Sequence, residues 1–419
     1  MTDTHFPDRT LDELLARPRA VLDADTMRRA AEIVADVEIG GEDAALRHAA
    51  KFDGFRPGDQ WLLDRAALDS ALERIPVGMR EDLEGAADRI GAFARAQRAA
   101  LTDLDVAVPG GRAGHTVIPV QRAGCYAPAG RFPLPSSLLM GVVTARAAGV
   151  PEVWVASPRP SDTMLAAAAI AGATGVIGLG GAQAIAALAF GIGSVEAVDV
   201  VVGPGNRWVT AAKQAVSGRV GIDFLAGPSE LVVLADGSAD ADVIAADLIA
   251  QAEHDADALP ILVTTDARLV VAVREALGDR LESLPAAAVA REALSAGGAI
   301  RAESLEAAIA LVDRLAPEHL QLSVEHPEAV AAQIGSAGAI FLGEQSAEVF
   351  GDYGAGPNHV LPTSGGARFT AGLSVFTFLR ARSWLRIDDP TQLGLATARL
   401  ARLEGLEGHA RAAEARPLP

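Results

Sequence analysis

Four groups of polar side chains, widely separated along the chain, hold the residue types that could do chemistry. The first is Gln251-Ala-Glu-His254, at the C-terminal end of an expected helix, where Gln251 and His254 are three apart and share a face. The second is the adjacent pair Glu318 and His319, in Pro317-Glu-His319. The third is Asp352 with His359, in Ala347-Glu-Val-Phe-Gly-Asp-Tyr-Gly-Ala-Gly-Pro-Asn-His-Val-Leu-Pro-Thr363. The fourth is Glu404-Gly-Leu-Glu-Gly-His409, near the C-terminus. Histidines, an aspartate and an amide or carboxylate suit a borderline divalent ion such as zinc, although glutamine is an uncommon ligand. An adjacent acid and imidazole could instead divide the work of taking a proton and activating water. Plainer readings stand beside these. His254 could interact with a helix dipole, His409 could be a solvated tail residue, and Glu318-His319 could be a polar loop ahead of a strand. Cys125 is a poor nucleophile, because Pro and Gly surround it and no histidine neighbours it.

These groups need elements to position them. Gly351, Gly354, Gly356 and Pro357 argue against a helix or a central strand, so Asp352 and His359 are expected on a loop after the strand Ala339-Ile-Phe-Leu342. Upstream, strands alternate with helices. Val153-Trp-Val-Ala156, Gly175-Val-Ile-Gly178, Val198-Asp-Val-Val-Val202 and Glu230-Leu-Val-Val-Leu-Ala235 read as strands, and helices are expected over 138–148, 163–172, 184–190 and 208–216. That alternation predicts a mostly parallel sheet. Glycine stands at two strand-to-helix turns, Gly178-Leu-Gly-Gly-Ala-Gln183 and Gly203-Pro-Gly-Asn206, where such sheets can bind phosphates. Neither is the dinucleotide fingerprint, since Gln183 stands where a third glycine would be; a tight turn without a ligand remains the alternative. A second α/β unit is expected over 239–370, with strands at 260–263, 299–301, 320–324 and 339–342 and helices at 242–254 and 267–277. Residues 24–51 and 65–101 read as amphipathic helices, and residues 1–22 as a lead-in helix capped by Thr10. The last 45 or so residues read as a helical tail whose Leu395, Leu400, Leu403 and Leu406 need something to pack on, such as a second subunit.

The chain has 419 residues, enough for two or more domains. Its net charge of −18 argues against nucleic acid or anionic membranes as partners. Mean hydropathy is +0.24, with no apolar run long enough to span a membrane and no secretory signal. A single cysteine fits a reducing cytoplasm.

Several stretches together carry a family pattern. They are Gly203-Pro-Gly-Asn-Arg-Trp-Val-Thr210, Ile222-Asp-Phe-Leu-Ala-Gly-Pro-Ser-Glu230, Asp247-Leu-Ile-Ala-Gln-Ala-Glu-His254 and Ala316-Pro-Glu-His-Leu320, then Gly351-Asp-Tyr353 with Asn358-His-Val-Leu-Pro-Thr363, and Glu404 with His409. In these the chain resembles the histidinol dehydrogenase family over nearly its whole length. The resemblance implies a cytoplasmic, homodimeric zinc enzyme that takes L-histidinol through an aldehyde to L-histidine, reducing two NAD. It implies zinc on Gln251, His254, Asp352 and His409, the last from the partner subunit. Glu318 and His319 would be the acid–base pair, and Tyr126, Gln183 and Asn206 would contact NAD. Ser229, His319, Asp352 and Glu404 would line the substrate site with the zinc ligands. The implied fold is two incomplete Rossmann-like domains, one inserted in the other. Residues 23–125 plus 231–372 would form the larger and 126–230 the NAD-contacting insert, with helical segments 1–22 and 373–419 forming an intertwined dimer.

The sequence departs from that pattern in Tyr126-Ala-Pro-Ala-Gly130, where the family reads Tyr-Val-Pro-Gly-Gly, and around Ile387-Asp-Asp-Pro390. Those departures leave the metal and acid–base residues intact and bear on the substrate. The alternative is a related zinc- and NAD-dependent dehydrogenase of another polar alcohol, such as a sulfonated diol, with Arg131 or Arg380 as a sulfonate partner. Retained Glu404 favours a cationic or imidazole substrate. A metal-dependent hydrolase and a non-catalytic binding protein are the readings from other classes, and retention of both Glu318 and His319 speaks against the second.

Overall fold

In the strand Arg122–Tyr126, successive side chains alternate between two different cores. Ala123 and Cys125 point into one apolar cluster and Tyr126 into another, on the opposite face of the sheet. The computed structural model describes residues 6–16, 22–56, 58–128, 133–353 and 355–416. Arg131, Gly130 at the end of the Tyr126 stretch, Gly354, and part of the expected lead-in segment lie outside the described residues.

The first sheet has six strands in the order 62–63, 175–177, 152–156, 122–126, 200–202, 221–222. All neighbours are parallel except Leu62–Leu63, which runs antiparallel to Gly175–Ile177. One face is covered by Pro135–Ala148, Asp162–Ala171, Arg65–Arg74 and Val77–Ala99, through residues such as Leu138, Met164, Leu68 and Ile90. The other is covered by Gly181–Phe190, Arg207–Val216 and the long helix Ala24–Phe52, through Ile185, Val209 and Val34. The helix expected over 65–101 is two helices. Ile75 is extended ahead of Pro76, as the residue before a proline prefers, and the second helix starts at Val77.

The second sheet has five strands, all parallel, in the order 298–301, 259–264, 230–235, 319–323, 339–342. Leu231 and Val233 pack under the helices Ala241–Ala252 and Ala267–Ser283, and Val232 and Leu234 under Leu305–Leu315 on the other face. Burial on both faces explains why Glu230–Ala235 reads as a continuous apolar run. The helix Ala287–Ala296 was not anticipated from the sequence. Thr10 caps Leu11–Leu15 with a reciprocal capping box through Glu13.

A third, antiparallel sheet corrects the expectation of a wholly helical tail. Leu379–Ile387 pairs with Gly111–Pro119, which pairs with Leu104–Val108. Its sequence Leu-Arg-Ala-Arg-Ser-Trp-Leu-Arg-Ile sets arginine at every second position apart from Trp384, the period of a strand rather than a helix. Of the expected leucines, Leu395, Leu400 and Leu403 follow on the helix Thr391–Leu403, and Leu406 lies just ahead of the helix Glu407–Glu414, which packs on it. Among the described residues no helix is long and apolar enough to cross a membrane.

One buried ion pair fixes the loop that joins the two parallel sheets. The Lys213 and Asp223 side chains are 2% and 1% exposed and pair directly. Lys213 Nζ also donates to Gly203 O at 3.1 Å, and Asp223 Oδ2 accepts from Gly203 N at 2.7 Å. Removing one partner strands the other as a buried charge. Lys213→Met is therefore expected to destabilise the fold by ~3–5 kcal/mol, read as a lower urea midpoint with an unchanged slope.

Candidate active site

The peptide unit of Glu230, at the start of its strand, holds the adjacent acid and imidazole together. Its N–H donates to Glu318 Oε2 at 2.9 Å, and its carbonyl lies 3.0 Å from His319 Nδ1. A carbonyl can only accept, so Nδ1 carries the proton and the lone pair resides on Nε2. That Nε2 is buried without a hydrogen-bond partner and lies 3.6 Å from Glu348 Oε1. Glu318 and His319 are themselves buried, with 3.6 Å between Glu318 Oε2 and His319 Nδ1.

Glu348 and Asp352 stand on the helix Glu348–Tyr353, one turn apart. This corrects the expectation that Asp352 sits on a loop. Gly351 is there for close packing, since a Cβ at that position would come 3.1 Å from the ring of Phe341. His359 does lie on irregular backbone, pinned because Asn358 Nδ2 donates to Met140 O at 2.9 Å. Its Nδ1 approaches Asp352 Oδ1 to 3.7 Å, and His254 Nε2 approaches Asp352 Oδ2 to 4.0 Å. Gln251 is fully buried on the last turn of Ala241–Ala252, and neither amide atom has a partner. His254 follows that helix end.

The electrostatics of this pocket are lopsided. Burial, then the charges of Glu230, Glu348 and Asp352, push Glu318 well above the usual carboxylate range. Burial and the Asp352 charge push Glu348 up to about 8, and burial pushes Asp352 up to about 6. Burial pushes His319 down to about 3 and His359 down to about 4. Neutral imidazoles, crowded carboxyls and an orphaned amide form a site short of positive charge. Their oxygen and nitrogen donors fit a borderline divalent cation. His319, Glu348 and Asp352 each offer a ligand atom within 4.8 Å of one another, a set that shares only Asp352 with the ligands expected from the sequence. Of the other ligands expected from the sequence, Gln251 has a buried amide with no hydrogen-bond partner, and His254 Nε2 lies 4.0 Å from Asp352 Oδ2.

The glycine turns lie at the carboxyl ends of the first sheet's strands. Tyr126 ends Arg122–Tyr126, and its hydroxyl accepts from Gly181 N at 3.3 Å. Burial pushes that phenol up to about 12, so it stays protonated. Gln183 is buried and donates from Nε2 to Asp53 Oδ2 at 2.9 Å. Asn206 is exposed and caps Arg207–Val216. Cys125 is buried and its thiol is pushed up by that burial, in keeping with an inert side chain. A family model described as histidinol dehydrogenase matches residues 16–417.

The chain belongs to the histidinol dehydrogenase family. A histidinol dehydrogenase of Pseudomonas syringae is 44% identical over 99% of this chain and 94% of its own length. One of Pseudomonas aeruginosa is 44% identical over 98% and 95% respectively. The crystal structure of histidinol dehydrogenase from Elizabethkingia anophelis superposes with a TM-score of 0.92 at 31% identity, covering 99% of this chain and 98% of that one.

Within this histidinol dehydrogenase family chain, Glu318, His319, Asp352, His254 and Gln251 gather at the amino ends of the second sheet's strands and the adjoining helices. Ser229 is next to Glu230, and its carbonyl accepts from Leu259 N at 2.9 Å. Glu404 and His409 are not part of this cluster; both are exposed on the C-terminal helical pair. Glu230 and Glu348 were missed from the sequence. Glu348 is four residues before Asp352, a spacing that points to it only once a helix is recognised there.

The raised carboxyls have a consequence for stability. Above the histidines' ordinary range, His319 and His359 are neutral in both folded and unfolded chains and contribute no slope. Glu318 and Glu348 then hold protons in the folded chain that the unfolded chain has released. Chelator-treated protein is therefore expected to lose stability as pH rises from about 7 to 9, through the folded pKa of Glu348. Added Zn²⁺ should flatten that fall. Thermal melts across the range, with and without the ion, check both.

Proposed function

We propose that the protein oxidises L-histidinol through histidinal to L-histidine, the end of histidine biosynthesis, with one zinc per subunit and two NAD per turnover. The observation that carries this reading is the Glu230 peptide unit, which fixes an acid and a neutral imidazole side by side against the pocket of Gln251, His254 and Asp352. The relatives named above all bear the histidinol dehydrogenase name. Nothing among them favours a sulfonated diol or another alcohol.

His319 is the base for the alcohol step. Its Nδ1–H donates to the Glu230 carbonyl, so Nε2 takes the hydroxyl proton of the substrate. Glu318 has one oxygen held by the Glu230 N–H; in the metal-loaded site, where added positive charge favours its carboxylate, the other would take a proton from the water consumed in the second oxidation. Gln251, His254 and Asp352 would hold the zinc, with His409 of the partner subunit as fourth ligand. Zinc, when bound, supplies a Lewis acid that fixes and polarises the amino alcohol. Tyr126, Gln183 and Asn206 would hold NAD, which supplies the two-electron acceptor for each oxidation. Ser229 and Glu404 would complete the substrate site.

The reading also requires a homodimer, since Glu404 and His409 stand apart from this chain's own pocket. Leu395 is 63% exposed, Leu400 59% and Leu403 84%, an apolar surface suited to a partner subunit. In this reading the two parallel sheets are the cores of the two incomplete Rossmann-like domains, and the enzyme works in the cytoplasm.

The test is NADH formation by zinc-loaded protein with L-histidinol. Two NADH per histidinol, lost on chelation and restored by zinc, is the expected result. No NADH, with zinc bound at one per subunit, would sink the reading. Removing the base should act on chemistry rather than binding, so His319→Asn should lower kcat by ~10²–10⁴-fold with little change in the KM for histidinol.

A further inference from the structure

At the first glycine turn, a carboxylate occupies the place where a nucleotide-binding fold offers N–H groups to a phosphate. Asp53 lies at the C-terminal end of the helix Ala24–Phe52, far from the turn in sequence. Its backbone N–H bonds to Ala49 O at 2.8 Å; Gly54 is left-handed, and Phe55 N returns to Ala49 O. This helix end, turned by a left-handed glycine, fixes the carboxylate without using it. Asp53 Oδ2 then accepts twice from the turn, from Gly180 N at 2.9 Å and from Gln183 Nε2 at 2.9 Å. Asp53 Oδ1 lies against Gly180, 3.0 Å from where a Cβ would stand. The Gly181 N–H is directed to the Tyr126 hydroxyl.

Three consequences follow for anything that binds here. Two of the turn's N–H groups are already used, by Asp53 and Tyr126. The Gln183 amide has a defined orientation, with Nε2 toward Asp53, so Oε1 is the atom left for a ligand. The charge at the start of Gly181–Phe190 is negative. Acceptor oxygens and a negative charge disfavour a phosphate and suit hydroxyl donors. In dinucleotide sites an acidic residue reads a ribose diol, while a phosphorylated ribose needs a cation instead.

Resting on the NAD reading above, we propose that Asp53 is the cofactor-specificity residue. It positions Gln183 with its carbonyl toward the cofactor and makes this turn a ribose-hydroxyl subsite that rejects the 2′-phosphate of NADP.

Calorimetric titration of the zinc-loaded full-length protein with NAD⁺ and with NADP⁺ tests this directly, without turnover. In Asp53→Ala and in the isosteric Asp53→Asn, NAD⁺ should bind about tenfold more weakly, and the preference for NAD⁺ over NADP⁺ should fall by about tenfold or more. Zinc content should not change. Equal weakening of both cofactors would mark a merely structural role and overturn the proposal, as would NAD⁺ affinity within about twofold of the parent. If the parent protein binds no NAD⁺ at all, the NAD reading itself fails, and that result is distinct from either outcome.

Discussion

A single peptide unit constrains this site more than any side chain does. Glu230 sits where the loop leaving the first sheet becomes the central strand of the second. Its N–H fixes the Glu318 carboxyl and its carbonyl fixes the His319 tautomer. The parallel pairing of His319 with Leu231 puts both residues in reach of that unit, so strand register and the protonation pattern of the base are one structural fact. A shift of one residue would send His319 to the opposite face, among Leu320 and Leu322.

The same loop ties the two sheets together. At its start Asp223 accepts from Gly203 and Phe224, beside Lys213. In its middle, Ala226 O accepts from Thr210, and Gly227 N donates to Thr363 Oγ1. At its end stands Glu230. The carboxyl ends of the first sheet and the amino ends of the second are thus joined by eight residues bonded along their length. A hydride donor and its acceptor must approach within contact distance. A loop fixed at both ends by buried polar contacts suits that demand better than a free linker.

Much of this was legible in the chain, and the rest was hidden for identifiable reasons. The strand Glu230–Ala235 and the glycine turns carried local signals, periodicity and composition, that survived folding. Gly351 misled, because glycine weakens a helix by propensity yet here gives the helix a close fit against the Phe341 ring. Leu379–Ile387 was obscured by the helical spacing of leucines just beyond it, although its own alternation is that of a strand. Asp53 has no motif at all. It becomes visible only when packing of Ala24–Phe52 on Gly181–Phe190 carries it to the turn. The location of Glu318 and His319 was hidden more deeply. Open α/β sheets bind ligands at the carboxyl ends of their strands. The candidate cluster departs from that rule, since Glu318 and His319 lie at the amino ends of the second sheet.

That departure has an electrostatic cost that accounts for the composition of the pocket. The carboxyl ends of the first sheet are followed by helix starts, whose free N–H groups favour negative charge. The amino ends of the second sheet instead receive the C-terminal end of Ala241–Ala252, the negative end of a helix dipole, where negative charge is disfavoured. Glu318, Glu348 and Asp352 are buried in that unfavourable field, with neutral imidazoles for company. A cation would relieve such a cluster, and the last turn of that helix also carries the orphaned amide of Gln251. The divalent-cation reading therefore rests on the fold's own charge imbalance as well as on the identities of the residues.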